Sequence, residues 1–170
     1  CFLKNSSFYN GFTDAQERSR TAVQTTDFLT MIRRIIKLHE GMLKEVCEHY
    51  QLALIEANII SFLYNNPGRD TAGDIVELRM LAKGNVSQAV ESLIQKGLLE
   101  RRPDKQDRRK IHLFLLPAAQ PITREIETLK EEFHREIFLG IPRQEQELFA
   151  RVSEQMMLNA QEAMKRRETP

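Results

Sequence analysis

"KGNVSQAVESLIQKGLLERRPDKQDRRKIHLFLL", residues 83–116, runs from a helical pattern into a strand, a basic turn and a second strand. In its first half Val86, Ala89, Val90, Leu93 and Ile94 recur at helical spacing, which predicts a helix from Lys83 to Lys96 with one apolar face. Lys83, Gly84, Asn85, Ser87 and Gln88 fall on the polar side of its first turns, and Gly97 supplies the C-terminal stop. After Gly97, "LLERR" (98–102) and "IHLFLL" (111–116) read as strands, with the "PDKQD" turn at the tip of a β-hairpin. Arg101 to Lys110 holds six basic and two acidic residues, a local +4 in a chain whose total is +1, so the remainder carries −3. Such a tip, with Lys105, Arg108, Arg109 and Lys110, suits an anionic partner, although a run of charge is often only a solvated face.

Upstream, Phe28, Ile32, Ile35, Ile36, Met42, Leu43, Val46 and Tyr50 mark one long amphipathic helix from about Thr21 to Tyr50. A second helix, roughly Ala53 to Tyr64, carries Ile55, Ile59, Ile60, Phe62 and Leu63 and ends in the turn formers of "NNPGRD". Thr71 then caps a short third helix, with Asp74 placed to complete a capping box. Downstream, Ile122, Ile126, Leu129, Phe133 and Ile137 form one helical stripe, "GIP" at 140–142 breaks it, and Leu148, Phe149, Val152, Met156 and Ala163 form another. The terminal helices have apolar faces with no evident partner in so small a central module. A second copy of the chain would cover them economically, which predicts a homodimer.

The order helix, helix, hairpin is that of a winged helix-turn-helix, whose second helix enters the major groove of DNA while the hairpin lies along the backbone or minor groove. Lys83 suits phosphate or guanine, Gly84 a close approach, and Asn85, Ser87 and Gln88 the base edges. Residues 83–116 resemble the recognition helix and wing of the MarR family of bacterial transcription regulators. Lys96-Gly97-Leu98, then Arg101 or Arg102, then Asp107-Arg108-Arg109 carry the likeness, and a weaker one extends from about Thr21 to Lys165. The resemblance implies a mainly α fold: a winged helix-turn-helix with long N- and C-terminal dimerisation helices and a two-stranded wing. It divides the chain into an N-terminal segment and dimerisation helix (1–50), a DNA-binding lobe (51–116) and C-terminal dimerisation helices (117–170). It also implies that Asp107 orients Arg109, that Arg109 enters the minor groove, and that double-stranded DNA and a second protomer are partners. The chain departs from the family pattern at Met80, where a turn glycine is common, at Ala82, where a serine cap is usual, and at Leu116-Pro117-Ala118-Ala119 after the second wing strand.

In the resembling family a small aromatic or anionic effector binds between the dimerisation helices and the DNA-binding lobe. His39, Met42, Val46 and Phe62 are the candidate residues here, set against a plain core or interface role for His39. Cys47 is expected to be structural and not a redox sensor, since Glu45 and Glu48 would oppose a thiolate. Glu45 and His49, four apart, supply only part of a metal site, so no metal or cofactor is expected. No catalytic spacing surrounds His112 or His134 and no glycine-rich phosphate loop follows a strand, so an enzyme is not expected. No apolar run reaches the roughly 18 residues of a membrane span, and the expected location is the cytoplasm. The favoured reading is a sequence-specific regulator, most simply a repressor, on a palindromic operator. Its rivals are a winged-helix protein-interaction module that never touches DNA, and a metal- or redox-responsive version of the same regulator.

Overall fold

A computed structural model describes residues 24–107 and 109–168. Its element order is four helices, a hairpin and two helices: α1 (Thr25–His49), α2 (Leu54–Asn65), α3 (Ala72–Arg79), α4 (Lys83–Gln95), β1 (Leu99–Pro103), β2 (Ile111–Leu115), α5 (Gln120–Ile137) and α6 (Arg143–Glu168). Mainly helical with one two-stranded antiparallel sheet, this is the winged-helix architecture. Thr21, named above as the start of the first helix, lies outside the described residues.

The core gathers around α2, whose Ala57, Ile59, Ile60 and Phe62 are all buried because the helix is apolar on most sides. Leu43 and Val46 from the C-terminal half of α1, Ile75 from α3, and Val86, Val90 and Leu93 from α4 close on it, with Leu99, Leu113, Ile122 and Ile126 completing the shell. The buried face of α4 is thus the one its spacing predicted. At roughly 25 cal/mol per Å² of apolar area, each such side chain stabilises by about 1.5–3 kcal/mol.

Local chemistry sets the boundaries. Asp74 N–H donates to Thr71 Oγ1 at 3.1 Å while Thr71 N–H donates to Asp74 Oδ2 at 3.0 Å, the reciprocal capping box that starts α3. At the end of α3, Met80 takes the left-handed conformation (φ 51°, ψ 38°) that a glycine would adopt without strain. Ala82 opens α4 with no side-chain cap. Gly97 (φ 68°) closes it, and Leu98 N–H reaches back to Leu93 O at 3.0 Å. The hairpin register runs from Leu99↔Leu115 to Pro103↔Ile111. Pro117–Ala119 forms a short 3-10 turn before α5, so the proline stands in a first turn that needs no N–H from it.

A buried ion pair ties the lobe together. Glu56, 3 % exposed, accepts the Ala53 N–H at 2.7 Å and the Lys96 ammonium at 2.7 Å, and Lys96 also donates to Gln51 O at 2.8 Å. Burial alone pushes the Glu56 carboxyl up; Lys96, Ser92 and the Ala53 N–H outweigh it and hold the group below its usual range. Lys96 of the Lys-Gly-Leu motif therefore anchors the end of α4 to the start of α2.

Little covers the outer helices. Leu29, Met31, Ile36 and Leu38 of α1 are exposed, and α6, 26 residues long, has no buried residue among those described and exposes Leu148, Phe149, Val152, Met156 and Met157. Among the described residues no helix is long and apolar enough to cross a membrane.

Candidate nucleic-acid interface

Lys83, Gly84, Asn85, Ser87 and Gln88 are all exposed, because burial of Val86, Ala89 and Val90 turns the opposite side of α4 outward. α4 starts without a side-chain cap, so no capping side chain competes with a phosphate oxygen for its first N–H groups. Lys105, Arg109 and Lys110 at the hairpin tip are likewise exposed and in no ion pair among the described residues. Arg108 lies outside the described residues.

Two clefts show how these groups are arranged. One, of about 580 Å³, is lined by Arg69, Asp70, Thr71, Ala72 and Gly73 on one side and by Arg109, Lys110 and His112 on the other. A second is lined by Ala72, Gly73, Val76, Lys83 and Ser87. Because Ala72 and Gly73 border both, the first turn of α3 stands between the wing and the start of α4. Arg69, Lys83, Arg109 and Lys110 accordingly surround one continuous surface.

Asp104, more than Asp107, builds the tip. Asp104 Oδ1 accepts the N–H groups of Gln106 (2.8 Å) and Asp107 (2.7 Å), which holds its carboxyl down at about 2. Asp107 was expected to hold Arg109 in orientation; the hydrogen bond between the two runs from the Arg109 backbone N–H to Asp107 Oδ1, at 3.1 Å. That bond acts on the backbone of the turn that carries Arg109. Arg101 and Arg102 both serve the scaffold: Arg101 pairs with Glu91 of α4 at 2.8 Å, and Arg102 pairs with Glu100 while its guanidinium lies 4.6 Å from the centre of the Phe114 ring.

His112, which sequence reasoning left without a role, joins wing to lobe. Its Nδ1 lies 2.6 Å from Asp70 Oδ1 and its Nε2 3.2 Å from Asp104 Oδ2. Beside it, Leu113 N–H donates to Asp70 O at 2.7 Å and Thr71 forms an isolated antiparallel bridge to His112. A histidine alternating with apolar residues on a wing strand was the available signal; its partners, up to 42 residues away, were not.

The candidate effector residues separate. Met42 and Val46 line a groove of about 230 Å³ between α1 and α5 with Glu45, Glu125, Thr128, Leu129 and Glu132. His39 packs edge-on against Phe133 at 5.1 Å, and burial, then Arg79, push its imidazole down while Glu40 opposes them. Phe62 is core, with the Arg79 guanidinium 5.8 Å from its ring centre. Cys47 is buried, and that burial, then Glu56 and Glu48, push its thiol up, away from thiolate reactivity. His49 pairs with Glu125 at 3.1 Å, and among the described residues no group of three or more His, Cys, Asp or Glu could hold a metal.

With the exposed helix and the wing placed, a sequence profile described as the MarR family matches residues 50–110, from the end of α1 to the wing tip. Over that stretch the chain is similar to the MarR family. It is 24 % identical over 149 residues to the uncharacterized HTH-type transcriptional regulator YsmB of Bacillus subtilis strain 168, a match covering 88 % of this chain and 99 % of that protein. The solved transcriptional regulator SlyA superposes with a TM-score of 0.71 at 16 % identity, over 82 % of this chain and 97 % of that one. S. aureus MepR in a complex with DNA superposes with a TM-score of 0.65 at 16 % identity, over 81 % of this chain and 96 % of that one. In the fold shared with these structures, α4 takes the place of the second helix of the helix-turn-helix and β1–β2 that of the wing.

Proposed function

We propose that the chain is a sequence-specific DNA-binding transcription regulator that acts as a homodimer and represses by occupying a palindromic operator. The observation that carries this reading is the continuous surface on which the polar face of α4 and the cations Lys105, Arg109 and Lys110 stand exposed on either side of α3. The MepR complex, similar in fold and crystallised with DNA, supports DNA as the partner. Asn85, Ser87 and Gln88 read base edges, Lys83 and Gly84 fix the approach, and Arg109 enters the minor groove, with Arg108, Lys105 and Lys110 neutralising phosphates around it. The uncovered apolar residues of α1 and α6 form the interface between protomers, which sets half-sites about 10 base pairs apart. The groove of Met42 and Val46 is the effector site of this reading. Its three carboxylates disfavour the anionic class of effector and leave the aromatic one.

Selection of bound fragments from random duplex DNA at physiological salt tests the whole. Enrichment of a two-fold symmetric sequence is expected, with Arg109→Ala weakening binding to all sequences and lowering the salt slope by about 1. A pool with no enriched sequence, or a chain that scatters light as a monomer, refutes it.

A further inference from the structure

The wing of a hairpin this short needs something to fix its angle to the lobe, since a two-stranded ribbon is marginally stable by itself. Here the fixing groups converge on one imidazole. His112 has a carboxylate on each ring nitrogen: Asp70 from the turn before α3 at 2.6 Å, and Asp104 from the wing tip at 3.2 Å. A neutral imidazole has one N–H and one lone pair, so one of those carboxylates would face the lone pair; only the imidazolium donates to both. The other charged groups around it are Arg69 of the turn, whose guanidinium is 3.5 Å from Asp74 of α3, Arg102 across the ladder, and Arg109 and Lys110 on the same cleft. None of these cations displaces the two carboxylates from the ring nitrogens.

The same Asp104 organises the tip through the Gln106 and Asp107 N–H groups, so the imidazole is connected by one carboxylate to the segment that presents Arg109. Asp70 is held in turn by the Leu113 N–H on its carbonyl. The chain of contacts runs from the lobe through His112 to the tip without a gap.

We propose that His112 is a proton-operated latch that seats the wing against the turn before α3 and thereby positions Arg109, closed when the imidazole carries both protons and loosened when it is neutral. Its effect on DNA rests on the duplex reading above; the latch itself is a property of the free protein. Hydrogen bonds to Asp70 and then Asp104 raise the imidazole above its usual 6.5, so the seated form is fully held below that value and is lost as pH rises through the elevated one. His112 is a positioning residue here, since it acts through Asp104 and not on the duplex.

The test uses the full-length chain and two readouts. In the free protein, NMR follows the His112 ring together with amide exchange at Gln106 and Asp107. Those amides are expected to lose protection, beyond the intrinsic pH effect on exchange, as the ring titrates. In the second readout, parent affinity for a selected duplex is expected to fall about tenfold between about pH 6 and about pH 8.5. His112→Gln, an uncharged donor at every pH, is expected to bind more weakly at the low end and to flatten that dependence. Asp70→Asn is expected to bring the ring down towards its ordinary value without touching the tip. Wing amides indifferent to the ring's titration, or a His112→Gln variant that keeps the parent's pH dependence, would overturn the latch. A parent that binds no duplex at any pH refutes the DNA reading, while the free-protein readout still decides the latch.

Discussion

Replacing Lys96 by methionine takes the cation that, among the described residues, pairs with a carboxylate sitting 3 % exposed among α2, α4 and the end of α1. Removing one partner of a buried pair typically costs about 3–5 kcal/mol, because the remaining charge is left desolvated. The lower end applies, since the Lys96 side chain is itself 35 % exposed and part of its attraction is screened by water. A loss of about 3 kcal/mol at neutral pH is therefore expected, or about 6–12 °C in Tm at this chain length. The pH dependence carries the sharper signature. In the parent, Glu56 titrates below its usual 4.5, so its contribution is present above that value and is lost as pH falls through the depressed one. In Lys96→Met burial acts with less opposition and moves the carboxyl up, so the folded state takes the proton first and the variant recovers relative to the parent as pH falls from about 7 towards about 5. Urea unfolding across that range, at fixed protein concentration, measures the gap, and Glu56→Gln added to Lys96→Met should recover part of it. A loss under about 1 kcal/mol at pH 7, or a gap that does not change with pH, would refute the account.

Two departures from the family pattern make separate tests of the same turn, both expected to stabilise. Met80→Gly should stabilise by about 1 kcal/mol, since the left-handed backbone strains a methionine whose side chain is 76 % exposed; a lower urea midpoint would contradict the assigned conformation. Ala82→Ser should add about 1 kcal/mol by capping α4, and an unchanged midpoint would mean those N–H groups already have partners. In a Cys1→Ser background, Cys47 should react with a thiol reagent slowly when native and at once in urea. Rapid modification of the folded protein at pH 7 would reopen the redox reading.

Short-range features were legible from the sequence. The intervals between Val86, Ala89, Val90 and Leu93 define which side of α4 is buried, and its polar side follows by exclusion. Gly97, Thr71 and Asp74 act within a few residues of themselves, so their roles as stop and cap could be read directly. Long-range polar contacts were not legible. Glu56 looks like one more charged residue in an apolar helix until Lys96, 40 positions later, comes to lie against it. Asp104 and Asp107 both sit in the turn, and only the three-dimensional course of the backbone decides which of them collects the N–H groups. The effector candidates failed to assemble for a related reason: on a helix as apolar as α2, periodicity does not say which side chain faces a groove, and Phe62 turned inward.

The Arg101–Glu91 bridge ties the first wing strand to the body of α4, so under the proposed function the two would meet a duplex as one piece. B-form DNA turns by about 34–36° for each base pair. One extra pair inserted between the bases read in the wide groove and those met in the narrow one would carry the latter out of phase with a rigid two-pronged gauge. Under the proposed function, an operator should therefore tolerate a changed letter far better than a changed count.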